Sequence, residues 1–105
     1  MKKKSAKNDA VRFKSAKDFG ESLGLSALDM EMIRQKKALI EKLKAARARL
    51  GLSQAAVAHK VGSLQPAIAR MESGQVSQVS MDFLMKVALA LGVAVRIQAP
   101  KGLAA

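Results

Sequence analysis

The sequence predicts a small all-α domain with a long first helix and a short β-strand at its C-terminal end. Three observations predict it. Apolar residues recur at helical spacing through most of the chain. Serines stand just before these stretches and glycines just after them. Residues 93–98, near the C-terminal end, alternate with a period of two. Composition agrees, because half of the residues are apolar but only Phe13, Phe19 and Phe83 are aromatic. The core must therefore be built from Leu, Ile, Val, Ala and Met, and 105 residues suffice for one domain with a tail.

Residues 1–17 show no useful periodicity and are expected to form a basic flexible tail, although Val11-Arg12-Phe13 alternates and could pair as a short strand. The stretch "KDFGESLG" is expected to form a single helical turn or an ordered lead-in. Ser26 then precedes an amphipathic helix with an acidic residue three positions on, and Gly51 stops it. Its apolar stripe is Leu28, Met32, Leu39, Leu43, Ala46 and Leu50. At roughly 35 Å it is longer than a small core can cover, so its first half is expected to meet the lead-in or a second subunit. Ser53 caps a short helix over 54–61 that Gly62 ends. A second short helix starts at Ser63 or Leu64, with Pro66 in its first turn, and runs to Glu72 before Gly74. A polar loop spans 75–79, and Ser80 caps a helix over 81–91 that Gly92 ends. Val93, Val95 and Ile97 then read as a strand that needs an edge to pair with, in its own chain or in a second copy. The domain is thus expected over 18–92, the strand over 93–99 and a tail over 100–105.

Charge narrows the function. The formal net charge is +11, and the 88 residues after the tail still carry twelve basic against seven acidic side chains. A polyanion, above all nucleic acid, is the natural partner. No apolar run is long enough to span a membrane, and the lysine-rich start lacks the apolar region of a secretory leader. No cysteine is present, which excludes disulfides, thiol chemistry and Cys-ligated zinc, and a reducing cytoplasm is expected. Catalysis is not expected: His59 is the single histidine, no paired carboxylates or phosphate loop occur, and neither metal nor cofactor is implied. A membrane-surface helix fits less well, because Asp29, Glu31 and Glu41 interrupt the basic face of the long helix.

Two helices of about eight residues joined by a glycine-containing turn form a helix-turn-helix layout over 53–74. Val57, Ala58 and Val61 share a face of the first, and Ile68 and Met71 share a face of the second. Gln65, Pro66, Ala69 and Arg70 fall on the opposite side of the second helix, where a DNA major groove would meet them. The stretch "LGLSQAAVAHKVGSLQPAIARMESG", followed by "LMKVALALGV", resembles the Cro/CI-type (XRE) helix-turn-helix of phage repressors over about residues 43–95.

That resemblance implies a five-helix lambda-repressor-like fold and assigns roles. Gln54 would hold a phosphate and buttress the recognition helix, and Gln65 would read a base edge, for which a Gln matches adenine N6 and N7. Arg70 would meet a base or nearby phosphate, and Arg47 and Glu72 would form a buried ion pair. Pro66 or Ala67 would touch a thymine methyl, with Ala69 on the same base-facing surface. His59, Lys60, Ser63, Gln75 and Ser77 would contact phosphates, and the basic tail would add salt-sensitive affinity. Gln54 and Gln65 are also ordinary helix-start residues. Leu64 and Ala69 stand where the family commonly carries hydroxyl side chains, so direct readout would rest mainly on Gln65 and Arg70.

The expected function is a repressor that binds a palindromic operator as a homodimer, cytoplasmic and nucleoid-associated when bound to DNA. The lead-in "LGLSALDMEMIRQKKALIEKLKAARARLGLSQ" and the closing "ALGVAVRI" also resemble small antitoxins of the HigA and HipB kinds. This gives a second expectation, a regulator that also binds a toxin protein.

Overall fold

In a computed structural model of the chain, the described residues are 26–100. The chain divides into two compact units, Met1–Met30 and Glu31–Ala105. In the first, the described residues open a helix with a reciprocal cap. Ser26 Oγ accepts from the Asp29 amide at 3.0 Å, and the Asp29 carboxylate accepts from the Ser26 amide at 3.2 Å. Two of the amide groups that a helix start leaves without partners are satisfied in this way.

The element order is α1 (Ala27–Arg49), α2 (Gln54–Lys60), α3 (Gln65–Glu72), a one-turn 3-10 helix (Val76–Gln78) and α4 (Met81–Leu91). Four α-helices are therefore present among the described residues. A fifth element in the lead-in would lie outside them, as do the basic tail, Val11-Arg12-Phe13 and residues 101–105. Ser53 and Ser80 cap α2 and α4 as their sequence positions predict, each accepting a backbone N–H from three residues on.

Burial along α1 is lopsided. Leu39, Ile40, Leu43 and Ala46 are buried, whereas Met32 is 62% exposed. The core covers only the second half of this helix, as its length requires. Leu50, expected on the buried stripe, is half exposed, because the helix has already ended at Arg49 and the chain turns away through Gly51. The rest of the core comes from Val57, Ala58 and Val61, from Ile68 and Met71, and from Leu84, Val87, Ala88 and Leu91, with Val79 beneath the loop. Each set recurs at the three- and four-residue spacing that puts side chains on one helix face.

The turn between α2 and α3 depends on Gly62. Its φ of 70° lies in the left-handed region, where a side chain would be strained. That conformation brings the Ser63 amide back onto the Ala58 carbonyl at 2.8 Å, closing the end of α2 and aiming the chain toward α3. No strand forms among the described residues. Residues 93–100 are irregular, so the strand expected over 93–99 is not formed in this single chain. Val93 and Val95 pack against the core and Ile97 stays 82% exposed. Side chains of α1 hold this segment instead: Gln35 donates to the Gln98 carbonyl at 2.9 Å and Lys42 to the Ala94 carbonyl at 3.4 Å. A strand needs a neighbouring edge for its backbone groups, and the described residues supply none to this segment.

Candidate nucleic-acid interface

Helix α3 is seated by Ile68 and Met71, which are almost completely buried, and turns Gln65, Pro66 and Arg70 outward. Ala67 and Ala69 are half-buried on its flanks. The patch read from spacing is therefore one continuous surface at the start and middle of α3. Leu64 is the N-cap and Pro66 falls in the first turn, where a missing N–H removes no intrahelical bond. Helical geometry begins at Gln65 despite the following proline.

Behind this surface lies a chain of polar contacts running inward from the helix tip. Gln65 Nε2 donates to Gln54 Oε1 at 2.7 Å, and Gln54 Nε2 donates to Glu72 Oε1 at 3.0 Å. Glu72, buried at the end of α3, also accepts from Arg47 Nε at 2.5 Å and Nη2 at 2.9 Å. The same guanidinium donates through Nη1 to the Leu52 carbonyl at 2.7 Å, tying α1 to the entry of α2. The Arg47–Glu72 pair expected from the resemblance is thus formed, and it carries two parallel hydrogen bonds in a fork geometry.

Electrostatics in this cluster favour an ionised Glu72. Burial pushes its carboxyl up, but hydrogen bonds from Arg47 and Gln54, with the charges of Arg47 and Lys44, outweigh burial and hold it below its ordinary value. An ionised carboxylate only accepts hydrogen bonds. Gln54 must therefore turn its NH2 toward Glu72 and its oxygen toward Gln65, and Gln65 must meet that oxygen with its own NH2. The polarity of two amides is fixed from inside the protein.

The residues expected on phosphates are more scattered. His59 and Lys60 are exposed at the end of α2, Ser63 is half-buried in the turn, and Gln75 and Ser77 are exposed around the 3-10 helix. Lys36 of α1 holds this second loop. Its Nζ donates to the Val76 carbonyl at 3.0 Å and also to the Val79 carbonyl. Nothing in the sequence pattern singles Lys36 out from the other lysines of α1, because the carbonyls it meets are forty residues or more away. Among the described residues, no group of acidic, His or Cys side chains could hold a metal ion, and no helix is long and apolar enough to cross a membrane.

The sequence model of a family described as "Helix-turn-helix domain" matches residues 18–100. No curated protein and no solved structure matches the chain.

Proposed function

Because the chain belongs to this helix-turn-helix family, a DNA-binding one, we propose that it is a sequence-specific transcriptional regulator, a repressor acting as a homodimer on a palindromic operator. In this reading α3 enters the major groove and Gln65 pairs with an adenine, while Arg70 meets a base or phosphate beside it. Gln54, His59, Lys60, Ser63, Gln75 and Ser77 line the flanking phosphates, and the basic residues of 1–17 add affinity that falls with salt. Repression follows from occlusion of a promoter.

The observation that carries this reading is the hydrogen bond from Gln65 to Gln54. It occupies one Nε2–H of Gln65, an exposed residue, and leaves the other N–H and the amide oxygen without a hydrogen-bond partner among the described residues. One donor and one acceptor side by side match adenine, which offers N7 as acceptor and N6–H as donor in the major groove. A preset amide also loses less rotamer freedom on binding. Two-fold symmetry places a second α3 about 34 Å away, one helical turn along the DNA. The segment 93–99 is the proposed pairing edge between copies, supported by its alternation, its lack of strand partners among the described residues and the exposure of Ile97.

The test is selection of bound sites from a random DNA pool, followed by Gln65→Ala. The expected result is a palindrome, with operator discrimination reduced by about 1–3 kcal/mol and affinity for random DNA nearly unchanged. Equal loss on both DNAs would sink direct readout by Gln65. Exposed Met85 and Leu89 on α4 and Ile97 beyond it favour a second reading, in which the regulator is an antitoxin that also docks a toxin protein. A small toxin encoded next to this chain and co-purifying with it is expected in that case, and a lone gene with no stoichiometric partner rejects it.

A further inference from the structure

Leu64 is an unusual residue for its position. It is the N-cap of α3, it makes no side-chain capping bond, and its side chain is 76% exposed. Leucine is among the poorer N-caps, because it offers no oxygen to the free amides of the first turn. Exposing its isobutyl group gains nothing in the free protein. Local stability therefore does not explain it.

Its surroundings are well fixed. On one side the Ser63 amide is bound to the Ala58 carbonyl, and on the other the Leu64 carbonyl accepts from the Ala67 amide at 2.9 Å. The next residue is Gln65, whose amide is held by Gln54, and the one after is Pro66, whose ring fixes φ. Leu64 is thus an apolar group on a constrained backbone at the edge of the reading patch. Met85 and Leu89 lie on α4 instead, and Ile97 on the C-terminal segment.

We propose that Leu64 is a specificity residue that reads the C5-methyl group of a thymine next to the base engaged by Gln65. This rests on the proposal that α3 reads DNA. The thymine methyl is the apolar feature of the major-groove edge, and an aliphatic side chain is its natural contact. Leu64 thereby gives α3 a second kind of readout beside the hydrogen-bonding pair of Gln65.

The test uses the full-length chain, its selected operator, and operators in which each thymine is replaced in turn by deoxyuridine, which lacks only the methyl. At constant salt, one substitution per half-site, symmetry-related, is expected to weaken wild-type binding about tenfold to twentyfold, because each of the two lost methyls contributes about three- to fivefold. Leu64→Ser, which restores a good N-cap and so keeps α3 folded, is expected to bind thymine and deoxyuridine operators equally. Wild-type indifference to every substitution would overturn the proposal. So would undiminished sensitivity in Leu64→Ser, which would move the methyl contact to Pro66 or Ala67. If no DNA sequence is selected at all, the regulator reading fails first and this assignment fails with it, a result distinct from the other two.

Discussion

Arg47→Met is expected to destabilise the fold by about 3 kcal/mol at neutral pH, because it leaves the buried Glu72 carboxylate without its cationic partner. For a domain of this size that corresponds to a fall in Tm on the order of 15 °C. The methionine keeps most of the aliphatic stem, so lost packing contributes little. The sign with pH separates this cause from a general weakening. The Glu72 carboxyl is held below its ordinary value in the fold, so its contribution to wild-type stability is present above that ordinary value. It is lost as pH falls through the depressed one. In Arg47→Met that contribution is already gone, and a protonated Glu72 no longer needs the guanidinium. The difference between the two proteins is therefore expected to narrow on acidification. Thermal denaturation followed by circular dichroism from neutral to acid pH measures it, and a gap independent of pH would show that Arg47 acts through packing alone.

Ile68→Ala is expected to remove about 3–4 kcal/mol, since Ile68 is completely buried and its loss leaves a cavity under α3. Total stabilities of small domains are only about 5–15 kcal/mol, so this change endangers the native state. Two residues on, Arg70→Ala is expected to alter stability by less than about 0.5 kcal/mol, because Arg70 is exposed and its guanidinium makes no hydrogen bond or salt bridge among the described residues. Urea denaturation of both variants checks the contrast. Similar losses in the two would mean that the seat and the outward face of α3 have been assigned the wrong way round.

Much of this architecture was legible in the residues. Ser80 and Gly92 bracketed α4, and the spacing of Leu84, Val87, Ala88 and Leu91 identified its buried face. Ser53, Gly62 and the two short apolar sets located the helix-turn-helix in the same way. These features depend on neighbours a few residues away, which a linear reading captures. The elements that escaped it depend on distant or external partners. Alternation at Val93, Val95 and Ile97 was a sound strand signal, but a strand also needs an edge, and here α1 binds the segment through Gln35 and Lys42. Lys36 has no distinguishing sequence signal, because its partners, the loop carbonyls of Val76 and Val79, are forty residues or more away. At the candidate site, the residue types and the Arg47–Glu72 pairing were readable through family resemblance. The orientation of the two glutamine amides was not, because it follows from three side chains on two helices meeting in space.

That orientation limits how this surface could be respecified. Gln54 cannot rotate its amide end for end without setting its oxygen against the Glu72 carboxylate. Whatever replaces Gln65 therefore faces a fixed acceptor. A side chain that donates, such as arginine or lysine, fits that acceptor and would shift preference toward guanine. A glutamate, the side chain suited to cytosine, would meet oxygen with oxygen. If Gln65 reads a base as proposed, hydrogen-bonding readout at this position is thus biased toward purines on the contacted strand. Reaching cytosine there through a glutamate requires Gln54 or Glu72 to change as well.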